Sequence, residues 1–427
     1  MTGHDHPSSE AIHSSGPLAF LHPTARYHPL TATGQDQPQP PNGSFTINTP
    51  AKPTATEDGS RENQQIYHVW RSRDNRKGRH RALVTGQGAK GRDEGRKSRL
   101  VKKTGYGLTR LVTRFPVWDI SYLVAVAFVL GSVIWCINGC FVWLPLVAPA
   151  SEFPGETDEG AGILAFLGAT VFEIGSVLMV VEAVNAERSD CFGWALEESL
   201  EDHGLRLRPR HEGCHHPHRG RHALLKDSAV AAMAATAVDS VAEPGGLEER
   251  KGDDGNVRQW WPAWHELSTH YIKEIGFLAS FVQLLGASIF WISGFTALPP
   301  IYNALSAPVM DGVYWVPQVV GGTGFIVSGL MFMVEVQDKW YKPAPKTLGW
   351  HVGFWNLIGG IGFTLCPAVG FGSQSSFALE YASGLSTFVG SWAFLIGSVA
   401  QWYESLDKYP VSVEEAPTWL PSGEKAV

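Results

Sequence analysis

Six apolar stretches, each of about 20 residues or more, set what this 427-residue chain can become. They cover approximately 120–144, 161–183, 275–298, 314–336, 351–372 and 381–403. A helix needs roughly 20 predominantly apolar residues to cross a bilayer. In lipid every backbone N–H and C=O must be paired internally, which leaves the helix as the natural state for such runs. The sequence therefore predicts an all-α integral membrane protein with six transmembrane helices. Residues 1–115 are different, being rich in Pro, Ser, Thr, Gln, His and charge. That composition predicts a disordered basic tail. The expected division is this tail, a first hairpin over 116–186 and a disordered His-rich loop over 187–258. An interfacial segment with a second hairpin follows over 259–340, then a third hairpin over 341–406 and a C-terminal tail over 407–427.

Charge tests the count. Lys and Arg collect on the cytosolic side of membrane proteins. Fifteen fall between Arg71 and Arg114, and eleven in the loop 184–274. Lys339, Lys342 and Lys346 lie between the fourth and fifth runs. The connections ASEFPGETDEGAG, LPPIYNALSAPVMDGVY and FGSQSSFALE carry none. Six spans with both termini cytosolic fit this alternation; which membrane holds them is not encoded here. The net charge of −7 is mild and points to no nucleic-acid partner. The expected partner is the bilayer, with anionic headgroups as a further one for the basic run from Arg71 to Lys103. Ser72 and Ser98 in RSR and RKSR are short phosphorylation-type matches within it. Trp260, Trp264, Leu267 and Tyr271 share one helical face, so 260–273 reads either as a surface helix or as an extension of the third span.

The spans resemble one another. Gly168, Gly175 and Glu182 are spaced seven and seven; Gly390, Gly397 and Glu404 repeat this, and Gly321, Ser328 and Glu335 keep it with Ser in the middle. The odd spans share another mark, since Gly131 and Gly139, Gly286 and Gly294, and Gly362 and Gly370 are each eight apart. Small residues returning to one helical face let a second helix approach closely. The membrane part is expected to be three copies of one helical hairpin.

These features resemble the YrhK-type membrane hairpin and a set of fungal multi-pass membrane proteins built from such units. The resemblance runs over about 115–410 and rests on RFPVWDISYLVAV, LGSVIWCINGCFVWLPLVAP, EFPGE, FEIGSVL, CFGWALE, IFWISGFTALP, LGWHVGFWNLIGGIGFTLC and GSWAFLIGSVAQWYESLDKYP. It implies a fold and brings no activity, cofactor or site residue with it.

Three groups of residues are candidates for function. Glu182, Glu335 and Glu404 end the even spans, where the helix dipole disfavours a carboxylate. Lys273, Lys339 and Lys408 lie at similar depth as possible counter-charges. The three acids read either as interfacial side chains or as a ring at the inner mouth of a pathway. Glu173 is separate. It lies 12 residues into the second span, roughly 18 Å deep at the helical rise. A charge there costs at least ~2.5 kcal/mol on insertion scales. On a helical wheel it points nearly opposite to Glu182 and shares its side with Thr170, and Gln283 is its best partner by depth. A proton or ion path and a hydrogen-bonded neutral carboxyl are both open readings. Third, His211, Cys214, His215, His216, His218 and His222 form HEGCHHPHRGRH. Imidazole and thiolate suit zinc or copper, yet the spacing matches no closed zinc motif, and a solvated low-complexity loop is the plainer reading.

No phosphate loop, dinucleotide fingerprint, G-x-S-x-G elbow or H-E-x-x-H is present, and the five cysteines suggest no disulfide framework. The expectation is a non-enzymatic membrane protein without cofactor, in a structural, sensing or assembly role. The alternative is a proton- or cation-linked transporter using Glu173.

Overall fold

In the computed structural model, the residues described are 13–30, 65–79, 81–85, 108–185, 264–408 and 411–414. Among the described residues six helices are long and apolar enough to cross a membrane, as a polytopic membrane protein requires. They are α2 (Ile120–Val147), α3 (Ala161–Val184), α5 (Ile275–Thr296), α6 (Val316–Glu335), α7 (Leu348–Gly370) and α8 (Phe377–Leu406). Each packs on its neighbours in the chain, and α8 packs back on α2, so the six close into a ring. We call the end where α3, α6 and α8 finish the foot of the bundle.

Local signals set the helix limits. Asp119 caps α2 by accepting from the Ser121 backbone N–H at 2.9 Å, satisfying one of the unpaired donors of a first turn. Helical turns ahead of α6 begin at Ala307, so Pro317 lies well inside a continuous helical run. A wide π-type turn over Asp311–Trp315 precedes it. Proline has no N–H to give the carbonyl four residues back. That carbonyl, on Val313, instead accepts from Thr296 Oγ1 at 3.1 Å.

The glycines fix the approach of the helices. The first glycine of each odd helix faces its own hairpin partner. Gly131 meets the Phe172 ring, Gly286 meets Gly321 and Gly324, and Gly362 meets Gly390. The second faces the preceding hairpin around the ring, with Gly139 against Phe388, Gly294 against Ala169 and Gly370 against Trp315. A Cβ on Gly362 would sit 2.7 Å from the Gly390 Cα, so no larger residue fits without moving a helix. With lipid tails as apolar as leucine, such close packing is a main source of helix association.

Aromatic rings fill the middle of the ring of helices. Phe172, Phe325 and Phe394 each lie ten residues before the glutamate of their helix. Their ring centroids are 5.5–6.4 Å apart. Trp135, Phe290 and Phe363, one from each odd helix, form a second trio at 4.8–5.7 Å. These separations suit edge-to-face and offset contacts between rings.

Among the described residues the all-α expectation needs correction, and so does the expectation of disorder for those parts of the tail that form strands. Strands β1 (His13–Ser15), β2 (Ala25–Leu30), β3 (Gln65–Arg71), β4 (Arg81–Thr85) and β5 (Val411–Glu414) form one sheet in that order. The pairings are antiparallel except for β4 with β5, where Ala82 faces Val411. The sheet thus joins segments from near both ends of the chain. A five-residue helix α1 (Ser72–Arg76) connects β3 to the turn before β4. Between residue 264 and α5 the described residues form α4 (Trp264–Thr269) and one 3-10 turn, Tyr271–Lys273. The helix breaks at His270, so 264–273 is not one continuous helix as either reading of 260–273 expected, and residues 260–263 lie outside those described.

Candidate functional site

Glu182, Glu335 and Glu404 converge at the foot and are each almost completely buried, at 1–2 % exposure. Seven-residue spacing keeps each on the glycine face of its helix, and that face is the one turned inward. Three carboxylates brought this close need cations, and they come from α1 and the turn after it. Arg73 donates to Glu404 from Nε at 3.1 Å and from Nη2 at 2.7 Å. Arg76 donates to both oxygens of Glu335 at 2.9 Å. The Lys77 ammonium lies 3.5 Å from Glu182. Each helix end therefore receives one principal cation, and the two arginines bind as forks, the strong geometry for a carboxylate.

Further contacts close the cluster. Arg79 Nη1 reaches Asp74 at 2.6 Å and Glu404 at 3.3 Å. Ser72 Oγ donates to Glu335 at 3.1 Å, and Ser121 Oγ donates to Glu182. The Phe332 ring lies beneath both guanidinium groups, 5.9 Å from that of Arg73 and 5.4 Å from that of Arg76. Beside the cluster, Lys408 pairs with Asp119 and donates to the Lys77 carbonyl at 2.8 Å. Four acids (Asp74, Glu182, Glu335 and Glu404) meet four bases (Arg73, Arg76, Lys77 and Arg79), so the charges balance. That balance is what permits burial, since an unpaired charge in such a place is expensive. Room for the guanidinium groups comes from glycine. A Cβ on Gly349 would stand 2.6 Å from Arg73 Nε, and one on Gly276 would overlap the Arg76 guanidinium.

Electrostatics separate the cations. Burial works against the charged Arg73, but the Glu404 carboxylate outweighs it and holds the guanidinium above its ordinary value. Lys77 is buried as completely, and there desolvation prevails over the attraction of Glu182, pushing the ammonium below 10.5. Above the cluster, toward the aromatic trios, lies a small polar cavity of about 20 Å³ lined in part by Gln283, Ser328, Asn356 and Gln401. It is wide enough for one water-sized molecule.

The counter-charges differ from those expected. Among the described residues the three glutamates take their ion pairs from Arg73, Arg76, Lys77 and Arg79, not from Lys273, Lys339 or Lys408; Lys408 serves Asp119 instead. Arg73, Arg76, Lys77 and Arg79 belong to the run expected to meet lipid headgroups, and they are turned into the protein. Sequence reasoning missed α1 as a functional element. Its signal was there, in cations at positions 73, 76 and 77 that fall on one side of a helical turn.

Glu173 lies elsewhere, half-buried between α3 and α5 and off the central axis. It accepts from Ser288 Oγ at 2.8 Å. Gln283, the expected partner, instead borders the axial cavity. Thr170 accepts from Trp291 Nε1 at 3.0 Å, one turn along the same seam. Glu173 Oε2 is buried with no hydrogen-bond partner among the described residues.

The arm over 16–24 crosses the start of α5, where the His22 N–H donates to the Lys273 carbonyl at 2.9 Å. Here His22, His270 and Glu274 bring one ligand atom each within 4.8 Å of one another. His270 Nε2 and Glu274 Oε1 are 3.0 Å apart. Burial, together with His270, Lys273 and Arg26, holds the His22 imidazole below its ordinary value. Burial raises the Glu274 carboxyl, against the opposing pull of His270 and Arg76. A cavity of about 320 Å³ opens beside the three, bordered by Arg26, Trp70, Ser72 and Tyr271. The run from His211 to His222 lies outside the described residues, as do Ser98 and Cys214.

Comparison with protein-family models, with curated proteins and with solved structures gives no match to this chain.

Proposed function

We propose that this is a non-enzymatic, multi-pass membrane protein with a structural, sensing or assembly role, whose own N-terminal segment latches three helical hairpins together at one end. The observation that carries this reading is the one-to-one pairing at the foot. Each glutamate ends a different hairpin, and all three receive their cations from one short segment, Arg73 to Lys77. The latch bridges hairpins that are otherwise held by packing. The two aromatic trios support the same reading, because they fill the axis where a pathway from the three acids would run.

We place the foot and both terminal segments in the cytosol, on the strength of the Lys and Arg alternation along the chain. The three-hairpin repeat is supported by the equivalent contacts of the paired glycines and by the three phenylalanines at one repeat position. The YrhK-type hairpin is the proposed kinship of that unit. The lipid bilayer is its partner, and anionic headgroups are left to cations of the tail other than the four at the foot.

The second reading, a proton- or cation-linked transporter, rests on Glu173 and its unpartnered oxygen. Flux measurements separate the two. In reconstituted vesicles the wild type is expected to move protons and monovalent cations no faster than protein-free vesicles. Flux in the wild type that Glu173→Gln abolishes would overturn the structural reading.

A further inference from the structure

We propose that His22, His270 and Glu274 form a site for a divalent transition metal, zinc by preference, that pins the N-terminal arm to the base of α5. Two imidazoles and one carboxylate are a donor set that suits zinc, with a fourth position left for water or a ligand. The ligand atoms lie within 4.8 Å of one another. Tetrahedral zinc with bonds of about 2.0–2.1 Å spaces its ligands about 3.3 Å apart. The open position faces the cavity of about 320 Å³, so an ion has a route in and space for a fourth ligand.

The backbone supports the site independently of its side chains. The His22 N–H bond to Lys273 fixes the arm against the turn carrying the other two ligands. The arm is in turn tied to the latch, because the Ser72 N–H donates to the Thr24 carbonyl at 2.9 Å. A metal here would hold one side of α1 in register with α5. The inference deepens the latch reading and rests on it.

The test uses the full chain in detergent micelles. The competing loop is first silenced by replacing His211, His215, His216, His218 and His222 with Asn and Cys214 with Ser. Zinc is then titrated against a chromogenic chelator. One site is expected, and His22→Ala, His270→Ala and Glu274→Gln should each weaken it about 100-fold or more, since loss of even an outer-shell partner costs about 10–100-fold. His265→Ala should leave it unchanged. The His270 side chain is 55 % exposed, so its truncation does not threaten the fold. Limited proteolysis of the arm without metal is run in parallel. Protection there, with zinc binding indifferent to all three variants, overturns the metal site and leaves the latch standing. Rapid cleavage before Arg73 in the metal-free protein, unrelieved by zinc, overturns both.

Discussion

Of the glutamates on the spanning helices, the three buried at the foot and the half-buried Glu173 form a contrast that shows what each is for. At the foot, three glutamates from three hairpins are enclosed by four cations, with two forked arginine pairs and hydroxyl donors besides. In the seam between α3 and α5, Glu173 has one hydroxyl donor and one oxygen without a partner. The first arrangement is over-determined and joins distant parts of the chain. The second joins two adjacent helices by a single hydrogen bond. The foot should therefore behave as a structural keystone, and the seam as a local contact whose loss is absorbed.

The largest effect is expected from opening the foot on one side only. Arg73→Leu leaves Glu404 buried without its fork, a change that costs about 3–5 kcal/mol in comparable buried pairs. The double change Arg73→Leu with Glu404→Leu should recover most of that loss, because replacing both partners by apolar groups is often neutral or better. Denaturation in mixed SDS micelles measures both. Equal losses in single and double variants would mean that the pair is not coupled, and the keystone view would fail.

Next in size is Gly349→Val. Its Cβ would press on the Arg73 Nε at 2.6 Å, and overpacking of this kind costs about 1–3 kcal/mol. Because the clash is with the Arg73 side chain, the loss should shrink in the Arg73→Leu background. A full loss there would place the strain in helix packing rather than at the latch.

Lys77 sharpens the contrast within the foot itself. Its native value lies below 10.5 because burial prevails, so the unfolded chain binds more protons in the interval between the two values. Its contribution to stability accordingly rises with pH across that interval. Lys77→Met should cost about 1 kcal/mol near neutral pH, at the low end for leaving a buried acceptor short of a donor. It should also remove part of the wild type's gain between neutral pH and about pH 10, read from the same micelle titrations. An unchanged pH profile would contradict a desolvated ammonium at this position.

Much of this molecule was legible before its structure was known, and for a physical reason. Membrane helices announce themselves by length and apolarity, and repeated glycine spacing marks the faces that pack. Opposite wheel positions already separated Glu182, on the glycine seam, from Glu173, although the reading of the three acids as interfacial side chains did not foresee their burial. What could not be read was the partner of each carboxylate. Arg73, Arg76 and Lys77 sit in a polar stretch whose composition resembles disorder, and α1 is too short to hold itself as a helix in water. Its order comes from docking between three helix ends far away in sequence. The strand β5 has the same character, since Val411–Glu414 is placed by pairing with β4. Gln283 was assigned to Glu173 by depth alone, whereas the helix turns it toward the axial cavity and gives Ser288 to the seam.

The smallest effect is expected where the sequence looks most provocative. Glu173→Gln keeps an acceptor for Ser288 Oγ and adds two donors in a half-buried seam. Hydrogen bonds between membrane helices average about 0.6 kcal/mol in double-mutant cycles, so stability should change by about that much or less. Ser288→Ala removes that contact outright and should cost about as much, and adding Glu173→Gln to it should cost little more. A Glu173→Gln loss as large as that of Arg73→Leu would make the seam a second keystone. A stable variant would instead show that the contrast holds: three carboxylates that fix how the hairpins meet, and a fourth that the bundle can spare.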